Sequence, residues 1–170
     1  MRIKDRLESS PMPEPLTVGP DQLVSEAVAR MAEKNYGSVV VISGDRKVIG
    51  ILTERDILNR LVNAGRNAKE TKVAEIMTAN PRLAHENDEI VTWMRVMTKE
   101  RFRRLPVVDD NDHVKAVVTQ TDIVSYTWPR LIEQATQLTK VSVKRSYQVY
   151  LIAGGVALYS LALVGILVNF

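Results

Sequence analysis

Between residues 16 and 126 the hydrophobic and polar positions follow one pattern that occurs twice. In the first copy a short extended piece, Leu16-Thr17-Val18, leads to an acidic start at Asp21. Leu23, Val24, Ala27, Val28 and Met31 then recur at helical spacing, and Gly37 is placed to end that helix. Two β-branched runs, residues 38–42 and 48–52, predict strands that turn through Ser43-Gly44-Asp45. The second copy repeats the order, with an extended Leu83-Ala84-His85, an acidic start at Asp88, and strands over residues 105–108 and 114–118 around Asp109-Asp110-Asn111-Asp112. Residues 16–42 lie over 83–109 at a constant offset, and the remainder follows after a gap of one residue. A helix closes each copy.

Each copy ends on the same phrase, Gly50-Ile51-Leu52-Thr53-Glu54-Arg55-Asp56 and Ala116-Val117-Val118-Thr119-Gln120-Thr121-Asp122. A Thr-x-x-Asp that opens a helix is a variant of the capping box, with the hydroxyl meeting a backbone N–H and the carboxylate reaching back, and this needs no ligand. The same geometry also suits a nucleotide. A helix N-terminus presents free N–H groups to an anion, threonine donates to a phosphate oxygen, and aspartate accepts from a ribose diol. Recurrence of the phrase after a strand in both copies favours the ligand.

With these phrases, and with Ile76-Met77-Thr78 ahead of the second copy, the chain resembles a tandem pair of CBS domains, the Bateman module, over about residues 12–126. The resemblance implies an α+β fold of two β-α-β-β-α repeats about a pseudo-twofold axis, with two clefts that take adenosine-containing ligands. It also implies dimerisation into a flat disc. AMP, ADP or ATP is the expected ligand and S-adenosylmethionine the lesser candidate, with no cofactor required. Position by position, Asp56 and Asp122 match the ribose-binding carboxylates, and Thr53 and Thr119 the phosphate-contacting hydroxyls. Thr17 and Ala84 match the cleft-lining first strand. Tyr36, Gly37, Ser38 and Val39 match the segment that receives a base, as do Arg103, Arg104, Leu105 and Pro106. Arg103 and Arg104 either neutralise phosphates or form an exposed helix end that the dipole favours. Two departures predict unequal clefts: Ala116 replaces the glycine of the phrase, hindering close backbone approach, and Ala84 stands where the first copy has Thr17.

The C-terminal stretch has a different character. No charged side chain follows Arg145, and residues 149–168 are almost wholly Leu, Val, Ile, Ala and Gly with Tyr150, Tyr159 and Ser160. About 20 residues at 1.5 Å each span roughly the 30 Å of a bilayer's hydrocarbon. A single transmembrane helix over residues 149–170 is expected, a tail anchor, with a buried core helix as the other reading. Lys140, Lys144 and Arg145 on its N-terminal side keep the preceding module in the cytoplasm. Ala153, Ala157 and the Gly154-Gly155 pair either admit a neighbouring helix or simply face lipid. Trp128-Pro129 opens a helical stalk over residues 127–148. The expected organisation is a flexible lead over residues 1–11, repeats over 12–66 and 67–126, the stalk, and the membrane helix.

Composition narrows the chemistry. Among 170 residues there is no cysteine, which excludes a disulfide framework or thiolate metal site. A net charge of +3 without a basic stripe does not point to nucleic acid. His85 and His113 show no metal-ligand spacing and are expected at the surface, and the cluster Lys99 to Arg104 reads as a polar helix end. Trp93, at helical spacing with Val96 and Met97, is expected in packing or a dimer contact. No enzyme is indicated. Two functions follow: a membrane-tethered regulatory subunit whose clefts bind an adenine nucleotide and which modulates an integral membrane partner, or a structural subunit of a membrane complex with empty or permanently filled clefts. Either implies a homo-oligomer, a homodimer through the module.

Overall fold

The computed structural model describes residues 1–9, 12–129, 132, 154–156 and 158. The chain divides into two compact units, Met1–Val124 and Ser125–Phe170, and the sheets, core and cavity below belong to the first. In the second, residues 125–129 are helical. Most of the expected stalk and of the expected membrane helix lies outside the described residues. Among the described residues, no helix is long and apolar enough to cross a membrane.

The β-branched runs form the strands. In the first repeat, β1 (Thr17–Val18) runs parallel to β2 (Ser38–Ile42), which pairs antiparallel with β3 (Val48–Thr53). A further two-residue strand, β4 (Thr78–Ala79), adds to the edge of β3 and makes the order β1-β2-β3-β4. In the second repeat β5 (Ala84–His85), β6 (Arg104–Val108) and β7 (Val114–Thr119) form a three-stranded sheet in that order. This mixed α+β architecture is the expected one, with β4 as an addition: two residues carry no periodicity by which to read a strand.

Each sheet is covered by an amphipathic helix, α2 (Val24–Lys34) or α5 (Ile90–Glu100), through Val24, Ala27 and Met31 or through Ile90 and Met97. Gly37 does not end α2. Asn35 does, at φ 53°, with its N–H on the carbonyls of Met31 and Ala32, and Arg101 at φ 60° does the same for α5. Asparagine tolerates the left-handed region well, so no glycine is required. The first repeat closes with α3 (Glu54–Asp56), which continues as a π-helical turn over Ile57–Val62. The second closes with helical residues from 120 onward.

The internal repeat has a single register. Asn35 and Arg101 are 66 residues apart, as are Arg46 and Asp112, which take positive φ in the two hairpin turns. The same separation relates the strand pairs Val18↔Val41 and Ala84↔Val107, and Ser38↔Thr53 and Arg104↔Thr119. The offset with a one-residue gap is therefore corrected: Ala84 is equivalent to Val18, Leu83 to Thr17, Phe102 to Tyr36 and Arg103 to Gly37. Pairing Leu16 with Leu83 matches apolar with apolar. Burial decides otherwise, because Val18 and Ala84 are the residues sealed against β2 and β6.

The lead expected to be flexible is instead helical over α1 (Ile3–Ser9), with Ile3 fully buried. Backbone N–H groups of Ile3 and Lys4 bond to the carbonyls of Asp88 and Glu86, while Ile90 N–H bonds to the carbonyl of Met1. The short helix α4 (Val73–Ile76), ahead of the second repeat, makes the same three bonds to the first: Val73 to Gln22, Ala74 to Pro20, and Val24 to Thr71. Each lead-in segment thus docks on the start of the other repeat's helix. The hairpin tips meet as well, through the Lys47↔His113 bridge and the bond from Val48 N–H to Asp112. At that tip the N–H of His113, followed by that of Asn111, bonds to Asp109 and holds its carboxyl below the usual carboxylate range.

Because Ile3 is the fully buried residue of α1, Ile3→Ala should cost about 2–5 kcal/mol in urea unfolding. A loss under about 0.5 kcal/mol, as for an exposed site, would show that the lead does not dock.

Candidate functional site

Strand alternation decides what faces the space between the repeats. Along β3, Leu52 enters the core, and a Cβ on Gly50 would press into the thioether of Met77, so these two positions face inward. Ile51 and Thr53 face the other way and line a cavity of about 1100 Å³. In β7 the inward positions are Ala116 and Val118, both buried, and Thr119 lies on the cavity. The glycine of the phrase therefore makes room for Met77. Ala116 points into the core, away from the cavity, and the expectation that it hinders a ligand is corrected.

Both Thr-x-x-Asp phrases form capping boxes at the cavity wall. Thr53 Oγ1 accepts from Asp56 N–H at 3.3 Å, while Thr53 N–H and Oγ1 donate to Asp56 Oδ2 at 3.0 and 2.6 Å. In the second repeat the corresponding distances are 3.1, 2.8 and 2.6 Å around Thr119 and Asp122. The hydroxyls are thus spent on the aspartates, and each side chain is held rigidly.

The remaining wall is charged and aromatic. Arg55, Arg82, Arg103 and Arg104 line it together with Glu54, Asp56 and Glu100, and Trp93 and Phe102 offer ring surfaces. Arg82 grips Glu100 bidentately, with Nε to Oε2 and Nη2 to Oε1 both 3.0 Å, and this pair raises the Arg82 pKa further. Arg55 donates to the carbonyl of Arg101 at 3.3 Å. The side chains of Arg103 and Arg104 make no hydrogen bond or ion pair to a described residue. The guanidinium of Arg104 lies close over Gly37, beside the Glu54 carboxylate. Two uncommitted guanidinium groups in a concave site suit an anion.

Of the residues singled out in the sequence, Gly37, Thr53, Asp56, Arg103, Arg104 and Thr119 line this cavity. The others do not. Val39, Ala84, Leu105 and Pro106 are sealed in the sheets and Ser38 is buried at the start of β2. Thr17 pairs with Val40, Tyr36 Oη reaches the carbonyl of Glu14 at 3.5 Å, and Asp122 is folded back onto Thr119. Arg82, Glu100 and Phe102 were missed as cavity residues. Trp93, expected in packing, is also on the wall, its Nε1 donating to Asp88 at 2.9 Å. Phe102 becomes visible in the sequence once the register of 66 sets it opposite Tyr36. Among the described residues no cluster could hold a metal ion.

The CBS domain model matches residues 6–63 and 73–128. The chain belongs to the CBS domain family. The pair is 34% identical over 109 residues to an uncharacterized protein of Methanopyrus kandleri, covering 64% of this chain and 56% of that one. The matched stretch spans about half or less of the curated relatives it matches first. Among solved structures, a putative signal-transduction protein with CBS domains from Burkholderia ambifaria superposes with a TM-score of 0.68 at 31% identity, covering 75% of this chain and 93% of that one. A CBS domain pair solved in complex with 5-methylthioadenosine and S-adenosyl-L-methionine superposes with a TM-score of 0.65 at 27% identity, covering 76% and 98%.

In this CBS pair two glycines of the first repeat, Gly37 and Gly50, do different work. A methyl at Gly37 meets only the ends of the Arg104 and Glu54 side chains, the latter at 2.9 Å, whereas a methyl at Gly50 meets Met77 as far in as Cγ at 3.2 Å. Gly37→Ala should therefore cost about 0.5 kcal/mol or less and Gly50→Ala about 1–3 kcal/mol in urea unfolding. Equal losses would contradict the facing of β3.

Proposed function

We propose that the CBS pair is a regulatory module that binds an adenine nucleotide of the AMP, ADP or ATP class in its inter-repeat cavity, and that it is not itself an enzyme. The observation that carries this reading is the pair of uncommitted guanidinium groups, Arg103 and Arg104, beside a helix N-terminus capped by Thr119. Guanidinium binds phosphate bidentately, and free N–H groups at a helix start add to the attraction. Trp93 and Phe102 supply faces for a base. The related pair that holds two adenosyl compounds supports the nucleoside part. The arginines favour phosphates over the cationic sulfonium of S-adenosylmethionine.

In this reading residues 149–170 form the membrane helix, on their length and apolar character. The pair sits on the cytoplasmic side, dimerises, and passes nucleotide occupancy through residues 127–148 to an integral membrane partner. A ligand shifts such a partner only if it binds one arrangement of the repeats better than another. The second reading, a structural subunit with unused clefts, draws on the first motif, where Asp56 is already fully engaged by its own chain.

Titration calorimetry on the nucleotide-stripped full chain tests the ligand. Arg103→Met and Arg104→Met should each weaken ATP about tenfold or more, since a charge-assisted hydrogen bond contributes about 1.5–3 kcal/mol, and leave adenosine unaffected. Failure of the wild-type chain to bind any of the three nucleotides would leave the structural subunit. Membrane placement has its own check: the full chain should resist alkaline carbonate extraction, and a chain ending at Gln148 should not.

A further inference from the structure

We propose that Glu54 sets the charge that the nucleotide site accepts: its carboxylate stands beside Arg104 as a resident anion, so the cavity takes AMP in preference to ATP. The assignment rests on the nucleotide reading of the cavity and names which member of that class fits. Directly after the motif threonine stand two side chains of the same shape, Glu54 in the first repeat and Gln120 in the second, equivalent at the register of 66. They behave differently because only glutamine is a donor. Gln120 Nε2 turns onto the carbonyl of Phe102 at 3.2 Å. A carboxylate cannot donate to the corresponding carbonyl of Tyr36. The backbone N–H of Glu54 bonds to the carbonyl of Gly37 at 3.3 Å, and its carboxylate reaches the bare face of that glycine. Arg104 comes to the same face from the second repeat, so that a methyl on Gly37 would meet both Arg104 Nη2 and Glu54 Oε2. The two charges flank one Cα on the cavity wall, and among the described residues neither side chain has an ion pair.

Charge then decides what the cavity holds. With Arg82 and Glu100 paired, three guanidinium groups, Arg55, Arg103 and Arg104, face two carboxylates, Glu54 and Asp56. The excess is one positive charge. Asp56 is committed to Thr53 N–H, Thr53 Oγ1 and Thr78 Oγ1, whereas the Glu54 carboxylate is held by no such donors and meets any anion that comes to Arg104. A phosphate monoester carries about two negative charges, and each further phosphate adds to its repulsion from Glu54. Like charges set side by side at a binding site discriminate between ligands, and salt screens the effect. Adenosine, which lacks a phosphate, is indifferent to it.

Titration calorimetry of the nucleotide-stripped full chain with adenosine, AMP and ATP, at low salt and without divalent cations, tests the assignment. Wild type should bind AMP more tightly than ATP. Glu54→Gln should tighten ATP about tenfold, AMP about threefold or less and adenosine not at all, with the gain in ATP shrinking at high salt. Glu54→Ala, which adds no donor, should give the same order. Glu8→Gln removes an equal charge from α1, off the cavity wall, and should leave all three affinities within about twofold. Tighter ATP than AMP in wild type, or a ratio of the two that does not shift toward ATP in the Glu54 variants, would overturn the assignment while the nucleotide reading stands. No binding of any of these ligands by wild type would overturn that reading and the assignment with it.

Discussion

Each repeat is held in place by the segment that precedes the other one, and the rest of the structure depends on this exchange. Ile3 ahead of the first repeat and Val73 ahead of the second are fully buried, and their backbone N–H groups bond to the turns that open α5 and α2. A buried donor must be paired, so neither segment can leave without exposing an apolar side chain and stranding polar backbone groups. Burial of each side chain contributes about 1.5–3 kcal/mol. Because the docking is reciprocal, neither repeat is complete alone, and the two sheets are brought to a single relative placement. The cavity is what that placement leaves between the ends of β3 and β7.

That arrangement explains which parts of the fold were legible in the sequence. The four long strands were, because β-branched runs of five or six residues bounded by Asp, Asn and Gly read alike in any context. The helices were, through Val24, Ala27 and Met31. The lead was not: Ile3 and Leu7 alone are apolar in Ile3–Ser9, too few to show a periodicity, and the burial of Ile3 is created by residues 86–90. The register slipped for a similar reason. Leu83 and Ala84 are both apolar, and only the pairing of Ala84 with Val107 shows which of them is equivalent to Val18.

The site divides along the same line. The Thr-x-x-Asp caps depend on four consecutive residues, so spacing alone reveals them. The walls around them depend on tertiary placement: Arg82 comes from the crossover, Glu100 and Trp93 from α5, and Phe102 from the link to β6. Arg82 and Glu100 cancel each other as a bidentate pair, so the field of the cavity is set by Arg55, Arg103 and Arg104 against Glu54 and Asp56. The alternation of β3 and β7 also separates two kinds of importance that the sequence presents side by side. Gly50 matters to Met77 and the core, while Thr53, three residues on, matters to the cavity.

A tandem pair is bound to become unequal at its crossover. Two repeats in one chain are joined by one connection, and among the described residues its side-chain fastening is seen on the first motif. Here the connection is β4 against β3, and its fastening recruits Asp56 through Thr78 and Arg60. Low exposure strengthens these contacts, since a buried carboxylate that loses a partner is left with an unmet desolvation cost. The first motif is thereby drawn into stability.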